Sequence, residues 1–245
     1  RISNTVFKNL SSDDLINLSR EVNIVSKLNH PTLLKFIGYS PIDFKSRKKL
    51  VIISELPSNL SLSQILDKER SNEKIDNWND TQKLICLYGI SLGMSYIHSN
   101  DIIHRNLNTK SIFFDENLNP KIGNFGLLTK SNRICSLSCK TATDLKENLL
   151  FSSPDLLEPN EYSKSSDVCA FALIVYEMMT LKTFTNINYL KESINSNKLE
   201  TNDSIPKSYL KLIEDCWSQN RPTFDQIVSM LKKEAGFITE NVDKE

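Results

Sequence analysis

One stretch constrains the fold more than any other: His104-Arg105-Asn106-Leu107-Asn108-Thr109-Lys110-Ser111, followed by Ile112-Phe113-Phe114. The sequence pattern places a helix before this loop and strands after it. Both are legible. Asp80 can cap a helix whose Leu84, Tyr88, Leu92 and Tyr96 step by four. After the loop, Ile112 to Phe114 reads as a strand, Glu116-Asn117 as a turn and Lys121-Ile122 as a second strand. A second polar motif, Asn124-Phe125-Gly126, follows directly.

The rest of the chain divides by periodicity. Thr5 to Lys8 is a short β-like run, and Ser12 caps a helix with Leu15, Leu18, Val22 and Val25 on one face. Asn29-His30-Pro31 ends it. Leu33 to Tyr39 and Leu50 to Ile53 read as strands joined by a basic linker. Leu62, Ile65 and Leu66 suit a short helix, and Asp67 to Asn79 a surface loop. Ser131 to Asn148 has no apolar period and reads as a mobile loop. Beyond Pro154 the pattern predicts helices over 166–179, 188–196, 207–217 and 223–234, then a polar tail at 236–245. Strands with one helix come first and helices dominate afterwards, which predicts an α+β class with a β-rich and an α-rich part.

Composition removes several functions. The chain carries 30 basic and 30 acidic residues, so no net field draws it to nucleic acid or an anionic membrane. Its longest apolar run, Val168 to Tyr176, is too short to span a bilayer and predicts a buried helix. Five scattered cysteines fit reduced thiols in the cytoplasm better than a disulfide framework, and Cys135 and Cys139 lack a second ligand pair for zinc. The first residue is Arg, which reads as the start of a fragment or a cut domain, and no signal peptide is visible.

The ordered motifs give a sharper reading. From Thr5 to Glu234 the chain resembles a protein kinase domain of the tyrosine-kinase-like group. His104-Arg105-Asn106 with Ser111 resembles the catalytic loop H-R-D-L-x-x-x-N, and Asn124-Phe125-Gly126 resembles D-F-G. Lys8 stands at the lysine of the V-A-I-K-like strand, and Glu21 at the helical glutamate that pairs with it. Ser54-Glu55-Leu56 matches the gatekeeper and hinge, and Phe113 the residue beneath the adenine. Ser153-Pro154-Asp155 resembles A-P-E, Arg221 matches the arginine that pairs with its acid, and Asp167 the aspartate that braces the catalytic loop. The resemblance implies one two-lobed domain over 1–245. Residues 1–55 are a β-rich N-lobe lacking the strands of the Gly-rich loop, 56–235 an α-helical C-lobe, and 236–245 a tail.

The departures fall on the chemistry. Asn106 replaces the general base, and an amide is no base near neutral pH. Asn108 replaces the lysine that serine/threonine kinases place there. Ser111 and Asn124 replace the two magnesium ligands with neutral groups, so no intact metal site is implied. Glu147-Asn148 stands where the family carries Gly-Thr, so the substrate platform is altered too. Structural roles remain implied for His104, Phe125, Gly126, Asp155, Asp167 and Arg221. Lys8 and Glu21 read equally as a phosphate-binding pair or as a bridge fixing helix to sheet. Arg105 reads as a structural arginine, with capture of a phosphorylated 131–143 loop as the alternative. Phe113 reads as filling the adenine pocket rather than stacking on a base.

The expectation is a catalytically degenerate, pseudokinase-like signalling module in the cytoplasm. It would bind other proteins, with neither nucleic acid nor membrane as partner. ATP, with or without magnesium, is the one cofactor the resemblance implies. The alternatives are a low-activity ATP-dependent serine/threonine kinase and a non-catalytic ATP sensor.

Overall fold

The computed structural model describes residues 2–3, 22–24, 26–42, 45, 48–57, 60–123, 163–182 and 205–233. The β-like run at Thr5, Lys8, Glu21, the motif Asn124-Phe125-Gly126, Asp155, the 131–148 loop and the helix expected at 188–196 lie outside the described residues.

Strands β1 (Ile2–Ser3), β2 (Phe36–Ile42) and β3 (Lys48–Ser54) form an antiparallel sheet in the order β1-β3-β2. β2 carries register shifts between Phe36 and Gly38 and between Ser40 and Ile42. It starts three residues later than the expected Leu33. The apolar run from Leu33 does a second job: Ile122 N–H donates to Thr32 O (2.7 Å) and Leu34 N–H to Ile122 O (2.9 Å). Leu33 thereby bridges in parallel to β5 (Pro120–Ile122), which pairs antiparallel with β4 (Ile112–Phe114). An apolar, branched run marks a residue that must be buried and extended, but not which sheet receives it.

The helices are α1 (Leu62–Arg70), α2 (Asp80–Ser99), α3 (Lys164–Thr180), α4 (Lys207–Trp217) and α5 (Phe224–Lys233). α1 runs through Arg70, so its last turn occupies part of the expected surface loop. Ser61 starts it with a reciprocal cap: its hydroxyl accepts from Gln64 N–H while Gln64 Oε1 accepts from Ser61 N–H. The cap of α2 is Asn79, whose side chain accepts from Gln82 N–H, so Asp80 is the first helical residue instead.

α3 is the centre of the helical part. Every residue from Ser166 to Met178 is buried, as the uncharged apolar run predicts. α2 is buried along Cys86, Leu87, Ile90, Met94 and Ile97, and the expected stripe of Leu84, Tyr88, Leu92 and Tyr96 is only half-buried. α2 is apolar on more than one side because α5 and β5 both pack on it, so a single periodic stripe could not identify its inner face. Gly89 and Gly93 make the close approach possible. A Cβ on Gly93 would lie 2.7 Å from Ile122 Cδ1, and one on Gly89 2.5 Å from Pro120 Cγ. α4 and α5 are one-sided, burying Tyr209, Leu212, Ile213, Cys216 and Trp217, and Phe224, Ile227 and Leu231.

Candidate functional site

The site is built around the carboxylate of Asp167, in the first turn of α3 and only 2% exposed. Its Oδ2 accepts from His104 N–H at 2.8 Å and from His98 Nε2 at 2.9 Å, and its Oδ1 accepts from Arg105 N–H at 2.9 Å. Helix α2 presents His98, and α3 presents the acid. Arg105 has φ of 65°, a left-handed backbone that costs a side-chain-bearing residue energy. The paired hydrogen bonds to consecutive amides hold it there.

His104 is fully buried. Its Nε2 donates to Gly123 O at 3.1 Å, and its Nδ1 accepts from Asn106 N–H at 3.3 Å. That pattern requires the neutral ring with its proton on Nε2. Burial, the largest influence, lowers the His104 pKa; the Asp167 charge opposes it. The neutral ring spans from the loop to the residue preceding Asn124.

The loop closes on itself through Asn108. Its Oδ1 accepts from Lys110 N–H (2.9 Å) and Ser111 N–H (3.1 Å). Its Nδ2 donates to Asn106 Oδ1 (2.9 Å) and to Asn106 O (3.1 Å). Ser111, with no exposure, donates its hydroxyl to Asn108 O (2.8 Å) and accepts from Asn108 N–H (3.0 Å). Asn106 and Ser111 are thus both engaged with Asn108 itself. Replacing Asn108 by Ala is expected to cost about 1 kcal/mol, because Lys110 N–H and the Asn106 carboxamide lose their partner while Ser111 N–H keeps the carbonyl of residue 108. Urea unfolding would measure the cost, and backbone exchange at Lys110 should rise more than at Ser111.

The donor set does not fit a magnesium ion. Among the described residues the loop offers only neutral oxygens, with those of Asn106 and Ser111 already bonded inside it, and magnesium prefers anionic oxygen. No group of three or more His, Cys, Asp or Glu side chains among the described residues is placed to hold a metal.

Beside the loop, Phe113 packs over Gly123. A Cβ on Gly123 would lie 3.0 Å from Phe113 Cε2 and 2.5 Å from Leu34 Cδ1, so the ring occupies the space a side chain would need. Phe113 pairs across the ribbon with Lys121, whose Nζ lies 3.7 Å from Glu55 Oε1. Glu55 is anchored by its N–H to Lys35 O at 2.8 Å, directly after Ser54 at the end of β3, and Leu56 beyond it is exposed. Glu55 is therefore tied to the β4–β5 ribbon through Lys121. Arg221 stands elsewhere. Its Nη1 donates to Ser165 Oγ at 3.1 Å, at a cavity of about 420 Å³ that Lys164, His98 and Thr223 also line.

Sequence reasoning missed three contributors. His98 is the third group on Asp167. Thr109 is buried in the loop, and its carbonyl accepts from Ser63 N–H at 3.0 Å. Glu177 is a carboxylate only 3% exposed on α3. A signal for Glu177 was present: it is the one acid in the run from Val168 to Met179. The buried Cys86 and Cys216 thiols, pushed up in pKa by burial, are unsuited to nucleophilic work.

Comparison with known proteins shows the family. The family model for protein tyrosine and serine/threonine kinases matches residues 4–231. A protein of Acanthamoeba polyphaga mimivirus named as a serine/threonine-protein kinase/receptor is 27% identical over 246 residues, covering 95% of this chain and 14% of that protein. Serine/threonine-protein kinase STY17 of Arabidopsis thaliana is 26% identical over 91% of this chain and 38% of its own length. Serine/threonine-protein kinase CTR1 of the same plant is 28% identical over 87% of this chain and 26% of its own length. The chain thus spans well under half of each of these relatives. No described helix is long and apolar enough to cross a membrane. The chain belongs to the protein tyrosine and serine/threonine kinase family.

Proposed function

We propose that this domain is a pseudokinase: a kinase fold that has given up phosphoryl transfer and acts by binding other proteins in cytoplasmic signalling. The single observation that carries this reading is Asn108. Its carboxamide bonds to the amide at the base position, Asn106, and its backbone bonds to the hydroxyl at the metal position, Ser111. The frame around them, from Asp167 to His104, is complete. A frame kept while its reactive groups are neutral and internally bonded suits a surface for recognition better than a site for turnover.

The finer organisation belongs to the same reading. We take 1–55 as a β-rich lobe, 56–235 as a helical lobe and 236–245 as a tail, within the tyrosine-kinase-like group. Asp155 is assigned to Arg221 as a structural ion pair, and Phe125 and Gly126 to the packing beneath His104. Lys8, Glu21, Ser54, Glu55, Leu56, Phe113 and Asn124 would surround any ATP that binds. The rate consequence is large. Loss of general-base help alone removes about 10²–10⁴ in rate, from a family turnover of roughly 1–100 s⁻¹.

A second reading, a low-activity serine/threonine kinase, is favoured by the relatives' names and the complete frame. A thermal melt with ATP, with and without Mg²⁺, against Lys8→Ala separates the two, together with a phosphoryl-transfer assay on clean protein. The expected result is no Mg²⁺-dependent shift and no transfer. A Mg²⁺-dependent shift lost in Lys8→Ala, with transfer lost alongside it, would establish the enzyme. A shift that survives EDTA without transfer would identify a nucleotide sensor.

A further inference from the structure

The outer face of β2 is apolar where the solvated face of an antiparallel sheet is ordinarily polar. Phe36 packs toward the core, and Gly38 and Ser40 are half-buried like it, so the alternation turns Lys35, Ile37 and Tyr39 outward. Ile37 is 63% exposed, Tyr39 57% and Ile42, beyond a register shift, 49%. The other exposed large apolar side chains among the described residues are Leu56 and Ile85, so β2 carries a concentration of them and not a scatter.

β2 is also the last strand of its sheet. Among the described residues it pairs with β3 on one side and with no strand on the other. An edge of this kind offers backbone N–H and C=O groups to a further strand. Its far end is closed, since Ser40 Oγ donates to Ile42 O at 2.7 Å and accepts from Ile42 N–H at 3.3 Å. The open stretch is thus 36–40.

Charge decides what such a surface takes. Lys35 flanks the stripe at one end, and the run from β2 into β3 carries Lys45, Arg47, Lys48 and Lys49 against one acid, Asp43. This basic concentration stands in a chain whose formal net charge is zero. A partner with acids beside its apolar residues is complementary at both ends. A second copy is not. Antiparallel pairing of two β2 edges about a two-fold axis would set Lys35 of one copy beside the basic run of the other. A nucleic acid would satisfy the cations but neither the aliphatic Ile37 and Ile42 nor the strand edge.

We propose that the edge and outer face of β2 bind an extended segment of another protein, one that alternates apolar residues with acids and joins the sheet as a further strand. Its apolar side chains lie beside Ile37 and Tyr39, and its acids face Lys35 and the basic run. The proposal rests on the reading above only in taking the domain to bind proteins. Detection of phosphoryl transfer would overturn that reading and leave this one standing, and the binding test below does the reverse.

The test uses the whole chain, immobilised, and a displayed library of random decapeptides. Selection at low salt is expected to enrich peptides that carry acids together with apolar residues at alternate positions. A labelled enriched peptide should bind in solution and lose affinity as salt rises. Ile37→Glu combined with Tyr39→Glu should weaken it about tenfold or more, the loss expected when central contacts are removed. Both side chains are exposed, so the thermal melt should stay that of the unaltered chain. Lys35→Glu combined with Lys45→Glu should lower the affinity and flatten the salt dependence; this variant keeps the test decisive if the first does not fold. No enrichment, enrichment of basic or purely apolar peptides, or unchanged affinity in a folded variant of either kind would overturn the proposal. So would self-association abolished by these substitutions, or tighter binding of an oligouridylate than of the enriched peptide.

Discussion

Replacing Asp167 with Ala should leave the domain unfolded or close to it. The carboxylate accepts three hydrogen bonds, from His98, His104 N–H and Arg105 N–H, and is 2% exposed. Alanine leaves two consecutive backbone donors buried without an acceptor, and removes what holds Arg105 at φ of 65°. Losing one member of a buried charged network costs about 3–5 kcal/mol, a large fraction of a domain's whole stability. Asp167→Asn is the informative partner. It keeps the shape and one acceptor oxygen but places an N–H₂ against groups that donate, so it should recover only part of the loss. Guanidinium unfolding of both variants measures this. A cost for Asp167→Ala below about 1 kcal/mol would mean the loop is held by something else.

Phe171→Ala should have an effect of similar size by a different cause. Phe171 is fully buried in α3, and its ring meets Phe224 of α5 edge-on at 5.5 Å. Phe224 in turn meets His98 at 5.1 Å. The rings form a stack linking α3 and α5 to the histidine that donates to Asp167. Truncating a buried phenylalanine to alanine costs about 3–5 kcal/mol, from lost transfer energy and the cavity left behind. For a domain of this size that is roughly 10 °C in Tm. Because the stack supports His98, the variant should also loosen the His104 and Arg105 amides, which hydrogen exchange would register. Phe171→Leu, which fills much of the volume, should recover most of the stability. Equal losses in both variants would show that ring geometry rather than volume carries the effect.

The sequence was most readable where a residue's type dictates its environment. A run such as Val168 to Tyr176 can only be buried, and α3 is buried from Ser166 to Met178. Motif order located Asp167 and the 104–111 loop, and they do meet. It was less readable where several faces of one element are used. Helix α2 presents one side to α5 and another to β5, so the stepped Leu84 to Tyr96 stripe is only a flank. Leu33 shows a related ambiguity, since an extended apolar residue serves a three-stranded sheet or a ribbon equally well. The inward bonding of Asn108 was beyond sequence reasoning altogether. A carboxamide in a polar loop signals hydrogen bonding, but not whether its partners are water, a ligand or the loop itself. Glu177 differs in part: its place in an apolar run signalled burial, but its neighbours Thr109 and α1 are distant in the chain.

The grip of Asp167 on Arg105 spans 62 residues of chain. A left-handed arginine has no local reason to persist, so the loop cannot acquire its shape from the residues around it. During synthesis, the segment from α2 through β5 emerges well before α3. Until α3 docks, the 104–111 stretch lacks the acceptor that defines it. Forming it requires closing a long loop, whose entropic cost comes before any contact rewards it. The 104–111 loop is therefore among the last parts of the chain to mature, and a chain stalled before α3 would display helix α2 without the loop that gives the fold its identity.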